Sequence, residues 1–527
     1  MMNLVFPELL ALRISTVDAA IVAIYLAIVT GMGFWIGRDN KTVSDYLLGD
    51  RSLPWWAVLG SIVATETSTA TFLSVPGTAF ADGGNLQFLQ LALGFCVGRV
   101  IVATHLIPLY FQGKLFTAYE VLHQRFGGIT QKTASLIFLV TRNLGDGLRL
   151  LLAGIVVEKM AGAGLPQSII IVGVCTIAYT FVGGMKAVIW SDCIQLLIYL
   201  SGGLVALVLL IQMLPGGWPE LLSFAKGHDK LAFFDSGIDA SRPYSLFINF
   251  TKANTFLAGF IGGSLLSLGT HGTDQMMVQR YLCTHSQRGA AKAVVVSGLV
   301  VFVQFFLFLI IGIALAAFYT TQPDRPTFDR SDEVFATFIV EKMPVGLVGL
   351  MLAAVFSAAM STLSSSLNSS AGAVVNDFLK DVGTPRTQLR LSRLLTLVFG
   401  VLQIGLAIAA IQLERSVIDN ALAIAGFSSG ILVGVFALGV LTQRVGQVSA
   451  MIGMIEGTMV LGMVKFWTPI AWPWYAPIGA AATISCGLIA SMSFDSERGA
   501  TPVAWTFMSE VLPNIVIHHS SNRNSYL

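Results

Sequence analysis

The sequence predicts an all-α polytopic membrane protein of about thirteen transmembrane helices, and three observations predict it. Of the 527 residues, 55% are hydrophobic and only 11% are charged. A soluble domain carries about 25% charged residues. The mean hydropathy is +0.76. The apolar residues also run on without alternation in long stretches, whereas a membrane β-barrel would show alternating strands of about ten residues. Net charge is +2, so neither nucleic acid nor an acidic partner is expected. The five cysteines, Cys96, Cys175, Cys193, Cys283 and Cys486, lie in or beside apolar stretches and lack zinc-ligand spacing.

The expected spans cover residues 17–37, 54–80, 86–112, 133–158, 167–184, 188–214, 254–279, 292–319, 344–378, 388–411, 416–441, 447–465 and 474–492. The first is too long, and too poor in preceding positive charge, to read as a cleaved signal. Lys and Arg are in excess in one alternate set of connections, including Arg38, Lys41, Arg51, Lys114, Arg125, Lys132 and Lys186. By the positive-inside bias this places the N-terminus outside and the C-terminus in the cytoplasm, with the protein in the plasma membrane.

Two spans are interrupted. The second carries Thr65, Glu66, Thr67, Ser68, Thr69 and Thr71, followed by Pro76-Gly77. Five spans later the chain reads Gly262-Gly263-Ser264, Ser267 and Gly269-Thr270-His271-Gly272-Thr273-Asp274. Paired interruptions at matching positions are the mark of transporter folds built from two five-helix units of opposite topology. The organisation that follows has six parts. Residues 1–53 form an N-terminal segment with a peripheral helix, and 54–214 the first repeat. An extracellular loop spans 215–253, and 254–441 form the second repeat. Two peripheral helices occupy 442–492, and the cytoplasmic tail is 493–527.

Polar residues inside spans are costly and therefore informative. In the ninth span Ser357, Ser361, Ser364, Ser365 and Asn368 share one helical face. That stripe suits either close helix packing or oxygen ligation of an alkali cation. Carbonyls freed at the break in the second span could complete a cation site. In the fourth span Arg142, Asp146 and Arg149 share a face, so Asp146 can pair with either arginine. Glu66 needs a partner, and Arg149 is the expected one. Asp192 follows Trp190-Ser191 and reads as an interfacial residue or a cation ligand, while His105, His271 and Asp274 are weaker candidates. No nucleophile with a base, phosphate loop or metalloprotease motif appears, so an enzyme is not expected.

These residues resemble the sodium:solute symporter family from about residue 17 to about residue 465. The motifs are Asp45-Tyr46-Leu47-Leu48-Gly49, Phe72-Leu73-Ser74-Val75-Pro76-Gly77, Thr117-Ala118-Tyr119-Glu120-Val121-Leu122 with Arg125-Phe126, and Gly183 to Asp192 with Ile194-Gln195. Asp274-Gln275 with Val278-Gln279-Arg280-Tyr281-Leu282, and the serine run ending Leu367-Asn368-Ser369, complete the set. The resemblance implies a leucine-transporter-like inverted-repeat core and sodium as the co-transported ion. It implies a first sodium site at the carbonyls of Ala64, Thr67 and Ala358 and the hydroxyls of Ser361 and Thr362. A second site would take Asp192, Ser364 and Ser365.

For the solute, the implied positions are Glu66, Ser68, Thr71, Gln90, Asp146, Arg149, Ser267 and His271. Ser68, Thr71 and Gln90 fit the sialic acid branch of the family, whereas Glu66 and Asp146 depart from it. The positions that sugar-transporting members use look like Ser267, Val301 and Leu422 here. The expected function is sodium-driven uptake of a small polar organic solute (sugar, sugar acid, carboxylate or related) by alternating access. A proton-coupled symporter is the alternative, and a transporter-like sensor a more distant one. The expected partners are the solute and the lipid bilayer, with no obligate protein partner.

Overall fold

The computed structural model describes residues 15–495, apart from 113–114, 239–249, 323–327, 329–330, 332 and 413–416. Nearly all of the expected tail, 493–527, therefore lies outside the described residues, as does 239–249 of the expected loop 215–253. Fourteen helices in chain order carry the architecture: α1 (Thr16–Gly37), α2 (Trp55–Glu66), α3 (Thr69–Phe80), α4 (Leu89–Ile101), α5 (Gly128–Ala161), α6 (Leu165–Met213), α7 (Gly263–Gly272), α8 (Gln275–Leu282), α9 (Gln287–Thr320), α10 (Leu347–Ala373), α11 (Pro385–Ala409), α12 (Val417–Leu441), α13 (Gln447–Trp467) and α14 (Tyr475–Phe494).

Among the described residues nine helices are long and apolar enough to cross a membrane, or ten if the bent α2–α3 pair is one span. Three physical causes separate this count from the expected thirteen. The 49 residues of α6 would extend about 73 Å at the α-helical rise, more than twice a hydrocarbon core of about 30 Å. Two spans are therefore fused in α6, joined at Gly184 (φ 62°, ψ −170°). The α7–α8 pair is broken into two short pieces. The third cause is α5, which carries Arg142, Asp146 and Arg149 within its length.

The kink at Gly184 explains two of the sequence motifs together. A positive φ of this kind admits glycine and few other residues. A Cβ there would also lie 2.5 Å from the Tyr46 carbonyl oxygen. The kink releases backbone carbonyls where the two spans join, and these need donors. The Asn40 side chain donates to the carbonyls of Val182 and Gly183 at 3.3 and 3.0 Å. The Tyr46 hydroxyl reaches those of Thr180 and Phe181 at 3.3 and 3.2 Å.

Close helix contacts rest on small residues. In α4, Gly94 and Gly98 stand four apart and face the start of the α7 span. A Cβ on Gly94 would meet the Gly259 and Phe260 carbonyl oxygens at 2.5 and 2.7 Å, and one on Gly98 the Ser264 oxygen at 2.4 Å. Small residues at this spacing let membrane helices touch backbone to backbone. Gly94→Leu is therefore expected to destabilise the protein by about 3 kcal/mol through overpacking. A thermal melt of the detergent-purified variant checks this, and an unchanged midpoint would refute the contact. The serine-rich α10 lies at the centre, buried along nearly its whole length from Val348 to Ala373. Its N-terminus is held by α1: the buried Asp18 carboxylate accepts from the backbone N–H groups of Gly346 and Gly349, each at 2.7 Å. A carboxylate there complements the positive end of the helix dipole.

Candidate functional site

The site begins where regular helix fails. Thr67 (φ −82°, ψ 80°) leaves the helical region and Ser68 (φ −78°, ψ 171°) is extended, and they separate α2 from α3. The two pieces meet at a bend of 56°. Five spans later, Thr273 and Asp274 separate α7 from α8 in the same way, and the Asp274 carboxylate caps α8 by accepting from Met276 N at 2.8 Å. Helix ends left open by such breaks expose carbonyls on one side and N–H groups on the other.

Of the expected first sodium set, Ala64 lies on α2, Thr67 at the break, and Ala358, Ser361 and Thr362 on α10. Ala64, Thr67, Ala358, Ser361 and Thr362 are all buried. The Thr362 hydroxyl donates to the Thr65 carbonyl of α2 at 2.9 Å and lies 3.4 Å from the Ala358 carbonyl on its own helix. Ser361 Oγ donates to Asp192 Oδ1 at 2.7 Å. The Thr67 hydroxyl donates to the Val63 carbonyl at 2.9 Å and accepts from Gln304 Nε2 at 2.5 Å.

The expected second set is arranged differently from the simplest expectation. Asp192 reaches Ser361 directly but Ser365 only through Arg280, a residue the sequence reading placed in a motif and assigned no role. The Arg280 guanidinium is fully buried. It lies 3.3 Å from Asp192 Oδ2, donates to Ser61 Oγ at 2.8 Å and Met276 O at 2.6 Å, and also contacts Thr65 and Ser365. Asp192 Oδ2 accepts from Ser61 at 2.5 Å as well. The Ser364 hydroxyl turns back to the Ser361 carbonyl at 3.2 Å and does not face Asp192.

Next to the α2–α3 break lies a cavity of about 130 Å³. Of the residues expected to bind solute, Glu66, Ser68, Thr71, Arg149 and His271 line it. Three others do not, each for a physical reason. Gln90 is turned toward the segment that precedes the α7 span, accepting from Asp235 N at 3.2 Å and donating to Asn254 O at 3.1 Å. Ser267 is wedged against α4, its hydroxyl donating to Phe95 O at 3.1 Å. Asp146 is fully buried behind its two arginines, 2.7 Å from Arg142 Nε and 2.5 Å from Arg149 Nη1. The expected Glu66–Arg149 pair is also corrected. Glu66 pairs instead with Arg99 of α4, which donates to Ser297 Oγ at 2.6 Å, and lies 3.6 Å from His271 Nε2. Arg142, which lines the cavity, and Arg99, which stands behind Glu66, are absent from the expected set, although an arginine inside a span is signal enough. Arg142 lines the cavity and also meets Asp274 at 3.6 Å, joining α5 to the second break.

A membrane-embedded helical core with two broken spans, buried oxygen donors at one break and a charged cavity beside it defines a secondary transporter. The sodium:solute symporter family model matches residues 46–457, and the chain belongs to that family. It is thus a sodium-coupled solute symporter and not an enzyme. The sodium/sialic acid symporter of Proteus mirabilis is 27% identical over 91% of this chain and 95% of its own. The human sodium/iodide cotransporter is 28% identical over 87% and 70%. The sodium/glucose cotransporter of Vibrio parahaemolyticus is 26% identical over 96% of each. Among solved structures, a sodium-coupled sialic acid symporter in a substrate-bound outward-open state superposes with a TM-score of 0.81. It is 25% identical and covers 93% of this chain and 100% of its own. A nucleobase-cation-symport-1 family transporter in a closed conformation shares the fold at a TM-score of 0.56 and 14% identity, covering 88% of this chain and 97% of its own.

Proposed function

We propose that this protein takes up a small polar organic solute, driven by sodium, through alternating access in the plasma membrane, with its N-terminus outside and its C-terminus in the cytoplasm. Sodium would be held by the carbonyls of Ala64, Thr67 and Ala358 and the hydroxyls of Ser361 and Thr362. The observation that carries the reading is the hydrogen bond from Thr362 to the Thr65 carbonyl, which brings the α10 hydroxyls to the open end of α2. A cation there would replace hydrogen-bond donors with a charge shared between α2 and α10. The ion can favour the outward-open arrangement only by binding it better than the inward-open one. A second ion at Asp192, Ser364 and Ser365 requires Arg280 to release Ser365. The relatives named above transport sialic acid, iodide and glucose, which supports a small solute without choosing one.

Uptake into proteoliposomes is the test. Replacing sodium by potassium is expected to abolish uptake, and uptake driven by a pH gradient without sodium would overturn the proposal. Replacing Ser361 and Thr362 together by alanine is expected to raise the half-saturating sodium concentration at least tenfold. That corresponds to about 1.4 kcal/mol, a conservative floor given about 1.5–3 kcal/mol for each hydrogen-bonding group lost to a charge. An unchanged sodium dependence in this variant would remove the ion from α10.

A further inference from the structure

The cavity beside the α2–α3 break has two walls of opposite charge, because Arg149 on one and Glu66 on the other reach it while the buried partner of each stands behind. On the α5 wall Arg149 reaches the cavity with 20% of its side chain exposed, while the Asp146 it grips is 0% exposed; Arg142, 11% exposed, lines the cavity too but also meets Asp274, which is 16% exposed and outside the lining. On the α2 wall the order is reversed. Glu66 reaches the cavity at 15% exposure, and its partner Arg99 is 0% exposed. A molecule inside meets guanidinium on one side and carboxylate on the other.

Both walls also keep capacity in reserve. Glu66 Oε2 takes the contacts with Arg99 and His271, and Oε1 has no hydrogen-bond partner among the described residues. Arg149 holds Asp146 through Nη1, and its Nε and Nη2 groups have no partner among the described residues. Polar groups inside a membrane protein are costly until paired, and charge–charge attraction is strong where water is scarce. The rest of the lining is largely apolar, with Phe88, Phe95 and Phe305 beside Leu91, Leu266 and Met277.

We infer that the transported solute is a zwitterion, an aminocarboxylate whose carboxylate is held by Arg149 and Arg142 and whose protonated amine is held by Glu66. The inference rests on the proposed reading that this cavity is the transport site. A simple carboxylate satisfies α5 but leaves Glu66 facing an apolar tail. A neutral sugar can hydrogen-bond to both walls yet neutralises neither. An aminocarboxylate satisfies both, and its short apolar body lies against the apolar lining. It also ties α2, which ends at the helix break, to α5 on the opposite wall. Closure of the cavity around such a solute strengthens both contacts by excluding water.

The experiment is a thermal-stability measurement on the purified full-length protein in sodium. Ligands that bind the folded state raise its melting temperature by mass action. The probes are α-, β- and γ-aminocarboxylates, each with its deaminated carboxylate, its decarboxylated amine and its hydroxy-acid analogue, together with neutral sugars. At least one aminocarboxylate is expected to raise the midpoint by several degrees while its three analogues do not. An equal or larger shift from a deaminated acid, a hydroxy acid or a sugar overturns the inference, as does the absence of a shift with every aminocarboxylate. Glu66→Gln keeps an acceptor toward Arg99 and is expected to bind the aminated and deaminated acids alike. Arg149→Gln leaves the Arg142–Asp146 pair in place and is expected to weaken aminocarboxylate binding at least tenfold, with the ligand-free midpoint reporting that it folds. Retained affinity in a folded Arg149→Gln protein overturns the inference too. Comparing the ligand-free protein in sodium and in potassium separates the two proposals: a sodium-specific shift with no aminocarboxylate response rejects only the solute class. No difference between the two ions rejects the sodium reading itself.

Discussion

Arg99→Met is expected to destabilise the protein by about 3 kcal/mol, the low end for breaking a buried ion pair, because Glu66 keeps 15% exposure to the cavity. Arg99 is fully buried, and its guanidinium contacts Glu66 and Ser297. Methionine fills much of the same volume, so the loss is mainly electrostatic and not a cavity effect. Glu66 then keeps only His271, at 3.6 Å. Removing both charges should recover most of the loss. The Glu66→Gln, Arg99→Met double variant is therefore expected to melt closer to wild type than Arg99→Met alone, and the double-mutant cycle measures the coupling. Additive effects of the two substitutions would show that the ion pair does not hold the break in place.

Asp192→Asn is expected to have an effect of similar size on stability, about 3–5 kcal/mol, and to impair sodium-driven uptake as well. Asp192 collects hydrogen bonds from Ser61 and Ser361 and faces the buried Arg280 at 3.3 Å. Asparagine keeps the shape but removes the charge, so the Arg280 guanidinium is left uncompensated among neutral partners. Its amide also replaces an acceptor with a donor, which turns the Ser361 hydroxyl away from its present position. Since Ser361 is one of the proposed sodium ligands, the half-saturating sodium concentration should rise along with the loss of stability. Melting curves and the sodium dependence of uptake check the two parts separately. Wild-type sodium dependence in the variant would detach Asp192 from ion binding.

Legibility differed between backbone and side chains, for physical reasons. The two breaks were visible because a membrane interior penalises polar runs, so Thr65 to Thr71 and Gly269 to Asp274 stood out. The kink in α6 was visible as a gap between two expected spans, but its companions were not. Asn40 and Tyr46 lie more than 130 residues away from the carbonyls they satisfy. Partner choice among buried charges failed for the same reason. Glu66 was matched to Arg149, one of three arginines inside spans, because the sequence holds no record of which helix faces which. The packing of Gly94 and Gly98 against the α7 span brings α4 beside the break and puts Arg99 within reach of Glu66. Arg280 was legible as a motif but not as a ligand of Asp192, since the contact joins α6 to α8 across 88 positions.

Composition and run length by themselves determined that this is a helical membrane protein, because the cost of a bare backbone in lipid leaves little choice. The matched interruptions determined where the helices would open. Tertiary structure alone decided which charges face the cavity and which stand behind them. Exposure of a buried ion depends on the packing of neighbouring helices, and that packing hides Asp146 and Arg99 while leaving Arg149 and Glu66 in view.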